Sequence, residues 1–148
     1  MHKMLVNFAL LSTDYTAPLC FELYHNKQLV YSCSPVTKPV DVSLILVENP
    51  NDNDEAQELC WTMSGKTTEH TTVDADGNIL NDAALITKNF KLDNFELGNL
   101  LVDNCVYLHN HNGSTKDVID SYYDYMGCNG KVIFKFTAPA YIWLLKNY

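Results

Sequence analysis

Apolar residues recur at every second position through most of this chain, and turn-forming residues interrupt the pattern at short intervals. Side chains of a strand alternate between two faces, whereas helical neighbours recur every three to four residues, so such a chain builds sheets with one buried face. Val40, Val42, Leu44 and Leu46 share a face of segment 40–47, and Leu59, Trp61 and Met63 a face of segment 57–64. Ala84, Ile86, Phe90 and Leu92 align across 84–92, and Val132, Phe134 and Phe136 across 131–137. Residues 4–11, 19–24, 29–34 and 100–108 read as further strands, with His25-Asn26-Lys27-Gln28 as a polar hairpin tip. Thr67 to Val73 reads as extended, and Asp74 to Asn78 as a turn in which Gly77 supplies a positive φ. Asp93-Asn94 shifts the phase by a bulge or tight turn, so that Phe95 and Leu97 point inward. Asp117 to Tyr125 is the one segment with helical spacing, through Val118, Ile119, Tyr122 and Tyr123. Pro139 breaks that strand, and Tyr141 to Leu145 closes the chain, with Trp143 on a strand pattern in the core.

The fold this predicts is all-β: an antiparallel β-sandwich, jelly-roll-like, with at most one or two short helices. The 148 residues suit a single domain, 1–148, without linker or repeat. Core positions include Leu44, Leu46, Trp61, Ile86, Phe90, Val132, Phe134 and Phe136.

Composition removes several function classes. Hydrophobic residues at 47% against charged ones at 19% exclude a disordered chain. No apolar run approaches the roughly 20 residues of a membrane helix, so no membrane partner is expected. All ten basic residues are Lys and the net charge is -8, a poor basis for nucleic-acid binding, which draws on Arg and positive charge. Met4 to Leu11 has the apolar character of a leader core, but Asn7 interrupts it and only Lys3 supplies nearby positive charge. It reads as the first strand of a protein without a signal peptide, folded in a cytoplasm. Five Cys, an odd number without CxxC spacing, then read as reduced thiols.

Three constellations carry candidate chemistry. Asp74 and Asp76 ahead of Gly77 offer two carboxylates to a calcium ion, although an EF-hand register would put Ala83 where the bidentate Glu belongs. Their bland reading is an Asx turn. His109 and His111 point the same way if the segment is extended, following Cys105 and Tyr107, but two ligands do not hold zinc and a solvated His109–Gly113 loop is the simpler reading. Tyr122, Tyr123 and Tyr125, with Asn129 nearby, could stack on a sugar or a protein partner, or bury their rings. The nucleophile elbow, the zinc-protease helix and the phosphate loop are all missing, so a non-enzyme is expected.

The stretch Trp61-Thr62-Met63-Ser64-Gly65-Lys66, His70 to Ile79, Asp82-Ala83-Ala84-Leu85-Ile86 and Leu92-Asp93-Asn94-Phe95-Glu96-Leu97 resembles two groups across residues 57–101. One comprises small β-sandwich virion proteins of marine tailed bacteriophages. The other comprises calcium-dependent, xylan-binding carbohydrate-binding modules. The first resemblance implies a non-enzymatic structural component of a tailed-phage particle (tail, neck, fibre or capsid decoration). Such a protein is made in the host cytoplasm, resides in the virion and assembles with other virion proteins as a homo- or hetero-oligomer. The second implies a glycan ligand, such as one on a host surface, and a calcium cofactor. With odd reduced thiols and no leader, the virion role is the expectation and the carbohydrate-binding module its alternative.

Overall fold

The computed structural model describes residues 3–48 and 56–148. Two antiparallel sheets pack face to face. One contains β1 (Lys3–Ser12), β4 (Val40–Val47), β8 (Leu85–Leu92), β9 (Phe95–Glu96) and β12 (Tyr125–Met126), in the order β12-β8-β1-β4 with β9 also paired to β8. The other runs β11 (Val118–Asp120), β10 (Cys105–His109), β13 (Gly130–Thr137), β5 (Ala56–Ser64), β2 (Cys20–His25), β3 (Gln28–Cys33). A two-stranded arm, β6 (Thr71–Val73) with β7 (Ile79–Asp82), stands off the sandwich, and the helices α1 (Asn99–Asn104) and α2 (Ala140–Asn147) are short. No helix among the described residues is long and apolar enough to cross a membrane. The fold is the mostly β, antiparallel sandwich that the alternation predicts.

Alternation sets the core. Met4, Val6, Phe8 and Leu10 of β1 face Phe21 and Leu23 of β2, Leu59, Trp61 and Met63 of β5, and Val132, Phe134 and Phe136 of β13, all buried. The sheets interlock through aromatic rings: Phe90 stacks on Phe8 and on Trp61 with centroids 5.0 Å apart in each pair. Such pairs are worth about 1 kcal/mol beyond area burial. Leu46, Trp61, Phe90, Val132, Phe134 and Phe136 are core residues as expected, whereas Leu44 and Ile86 are only half-buried.

Ile86 shows why one phase slips. In β8 the buried residues are Leu85 and Thr87, then Phe90 and Leu92. Asn89 adopts a left-handed φ of 55°, and the pairing with β1 shifts register between Asn7 and Ala9. The extra residue of this bulge moves the inward side from odd to even positions. Asp93 and Asn94, at φ 51° and 67°, make a two-residue hairpin turn that leads into β9. Leu97 is buried beyond it, but Phe95 is 46% exposed and not inward.

Three segments depart from their expected class. Residues 117–125 are not helical: β11 is followed by an irregular crossing to β12 in the other sheet, anchored by buried Tyr122. The reading of 100–108 as one strand is also corrected, because Gly98 opens α1 and β10 starts only at Cys105. The chain closes on a helix, α2, which presents Ala140, Trp143 and Leu144 to the core at the spacing of one helical face. Buried Glu48 accepts the first-turn N–H of Ala140 at 2.9 Å, placing a carboxylate at the helix N-terminus. Between Glu48 and Ala56 the sequence reads as an acidic, turn-forming loop, and its residues 49–55 lie outside the described residues.

Candidate functional site

Each expected contact residue occupies a defined place. Tyr122 is wholly buried, its hydroxyl 2.5 Å from Thr87 Oγ1 and its ring edge-on to Trp61 and Tyr107. It is a core residue, with no surface left open to solvent. Tyr123 and Tyr125 are exposed, at 69% and 43%. Asn129 is committed to the fold: its Oδ1 accepts the Lys66 N–H at 3.0 Å and its Nδ2 donates to the Lys66 carbonyl at 2.9 Å. Its amide clamps two loops together.

Asp74 and Asp76 belong to the turn of the β6–β7 arm. Asp74 Oδ1 accepts the N–H groups of Asp76 and Asn78, each at 2.9 Å, and Gly77 takes a φ of 84°. Bonding from Asn78 holds the Asp74 carboxyl below its ordinary value. The side chain is an Asx cap.

Asp82, at the far end of the arm, is a hub. It pairs with the Lys66 ammonium and accepts the Thr71 hydroxyl at 2.7 Å, while Lys66 also donates to the Gly127 carbonyl at 2.6 Å. The Lys66 side chain is 3% exposed. Three chain segments therefore meet on one buried ammonium, and the sequence pattern gives no sign of it.

His109 is the last residue of β10 and is buried, not part of a solvated loop. Its Nε2 lies 2.6 Å from Asp120 on neighbouring β11, and its Nδ1 accepts the His111 N–H at 3.2 Å. His111 lies beyond the strand end: it and Asn112 take φ values of 50° and 59°, so a left-handed turn, not strand alternation, carries His111 back to His109. The two rings meet edge to face at 4.6 Å. Cys128, distant in sequence, joins them, and one donor atom from each of the three lies within 4.8 Å of the others.

On the outer face of the larger sheet, register aligns Thr62, Lys131, Leu108 and Ile119 in one cross-strand row. Above it lies a groove of about 620 Å³, bordered by His109, Asn110, Asp117 and Asn129. Ile119 is 72% exposed at its end. The floor combines aliphatic surface with the Lys131 side chain, and the rim supplies amide and carboxylate groups. Such a surface suits a ligand with apolar faces and many hydroxyl groups. Alternation identifies outward Leu108 and Lys131, but only the β10–β11 pairing brings Ile119 beside them.

No protein family matches the sequence, and no curated protein matches it. The fold has a counterpart among solved structures: vCBM60, described in connection with a circular permutation that links two families of calcium-dependent carbohydrate-binding modules. It superposes with a TM-score of 0.52 over 88% of this chain and 89% of that one, at 9% sequence identity. At that identity the likeness is one of fold. Among the described residues no group of three or more carboxylates converges on one point. Calcium takes six to eight oxygen ligands, carboxylates foremost. Among the described residues the only convergent group of three metal-ligating side chains is His109, His111 and Cys128, with no carboxylate in it. Asp74 serves its own turn and Asp82 is neutralised by Lys66.

Proposed function

We propose that this protein is a non-catalytic binding module for neutral oligosaccharides. The groove over Thr62, Lys131, Leu108 and Ile119 carries the reading, and the likeness of fold to a carbohydrate-binding module supports it. A sugar ring lays its C–H face on Leu108, Ile119 and the Lys131 stem, while Asn110 and Asp117 exchange hydrogen bonds with its hydroxyls. The net charge of -8 repels acidic glycans and favours neutral ones. Calcium is not required in this reading. A glycan array probed with metal-stripped protein tests it. Retention of neutral oligosaccharides, unchanged by added calcium and lost in Ile119→Asp, is the expected result. No retained glycan removes the reading, and binding only with calcium removes its metal-free form.

A second reading, a structural component of an assembly such as a phage particle, is favoured by the β6–β7 arm. Val73, Ile79 and Leu80 are 56%, 64% and 68% exposed there, an apolar surface on a projecting hairpin. Tyr123 adds an exposed ring of the kind that anchors interfaces. Paired Ile79→Lys and Leu80→Lys changes should abolish incorporation into particles while leaving glycan binding intact. Unchanged incorporation removes this reading.

A further inference from the structure

We propose that His109, His111 and Cys128 form a binding site for a soft divalent transition metal, zinc foremost, which clamps the 109–113 turn to the 127–130 loop. The proposal does not rest on the glycan reading, although His109 also borders the groove. Two imidazoles and a thiol are the donors of zinc, copper and cobalt sites, and they discriminate against calcium and magnesium.

The backbone around the three donors is already fixed. Cys128 is held by Tyr107, whose hydroxyl accepts the Cys128 N–H at 2.9 Å and donates to its carbonyl. Asn112 Oδ1 accepts the Asn129 N–H at 2.7 Å, joining the two loops directly. The turn that presents His111 is closed by the Gly113 and Thr115 N–H groups, both donating to the Asn110 carbonyl at 3.1 Å.

His109 has a single tautomer consistent with its partners. Nε2 carries the proton and donates it to Asp120, so the lone pair resides on Nδ1, where the long contact from the His111 N–H is readily given up. A carboxylate that orients a histidine through its other nitrogen is the usual outer partner of a metal-bound imidazole. A tetrahedral ion with Zn–N of about 2.1 Å and Zn–S of about 2.3 Å holds its ligand atoms roughly 3.5 Å apart. From a spread of 4.8 Å, the donors need to draw in by about an ångström. His111 is exposed and Cys128 half-buried, so an ion has a route in. Three protein donors leave a fourth position for water.

Cobalt titration of the reduced, metal-stripped full chain, kept in a non-thiol reductant, tests the site. One equivalent of Co²⁺ should give thiolate-to-metal charge-transfer absorption and the intense visible bands of four-coordinate cobalt. Zn²⁺ should bleach both, and excess Ca²⁺ should not. Cys128→Ser should remove the charge-transfer band. His111→Ala, at an exposed position that spares the fold by circular dichroism, should weaken affinity at least about tenfold, and Asp120→Asn about tenfold. Absence of the charge-transfer band in the wild-type protein overturns the proposal. So does a band that persists in Cys128→Ser, since another of the five Cys would then be the ligand.

Discussion

Gly130 has no room for a side chain. A Cβ there would stand 2.3 Å from the Leu108 carbonyl oxygen and 2.9 Å from the His109 Cβ, both on the paired strand β10. The close approach lets β13 begin beside His109. Gly130→Ala should cost about 2 kcal/mol, the usual penalty of forcing an extra carbon into packed structure, read as a lower urea midpoint. An unchanged midpoint would mean that β10 shifts aside freely. At this scale the sequence marks Tyr122, Tyr123 and Tyr125 as equivalent aromatics, and the structure separates them completely. The difference comes from the chain crossing between sheets, which turns one ring inward to Thr87 and Trp61, and no local pattern encodes a crossing.

Among the elements, legibility follows length and regularity. β1, β5 and β13 alternate without interruption, and the inward faces of β5 and β13 are as the sequence predicts. β8 alternates too, but Asn89 inserts a bulge, so Ile86 is misplaced while Phe90 is not. α2 shows the converse: Ala140, Trp143 and Leu144 form a helical stripe inside a run so apolar that a strand and a helix read alike. The β6–β7 arm is specified by its turn, and this gives it a pH dependence. The Asp74 pKa lies below its ordinary 3.8 because the ionised carboxylate accepts N–H groups, Asn78 foremost. A carboxylate with a depressed folded-state pKa stabilises above its unfolded value, and that contribution is lost as pH falls through the folded one. The arm should therefore loosen in acid below the ordinary carboxylate value. Amide exchange at Asp76 and Asn78, corrected for intrinsic rates, should rise there, and Asp74→Ala should show the looser state already at neutral pH. Protection independent of pH in the wild-type chain would contradict this.

For the molecule as a whole, loops at one end of the sandwich are tied together by polar contacts that the core does not supply. Lys66 follows β5, Asp82 ends the arm and Gly127 follows β12, and one ammonium bonds to both of the others. Asp82 is further secured through its backbone carbonyl, which accepts the Thr13 hydroxyl at 2.8 Å at the end of β1. The groove rim at Asn129 and the Cys128 loop depend on this junction, because Asn129 holds the Lys66 backbone from the other side. Sequence reading misses it because lysine normally marks solvent, and nothing near Lys66 announces burial. Breaking a buried pair from one side leaves an uncompensated charge and costs 3–5 kcal/mol, whereas replacing both partners by apolar groups is often close to neutral. Asp82 is 26% exposed, so water offsets part of that cost. Lys66→Met should lose about 2–3 kcal/mol in urea unfolding and speed amide exchange in residues 66–71 and 127–130. Lys66→Met combined with Asp82→Leu should lose less than Lys66→Met alone, because no carboxylate is left stranded. If the double variant were the weaker of the two, the junction would act through the directed bonds to Gly127 and Thr71 and not through charge compensation.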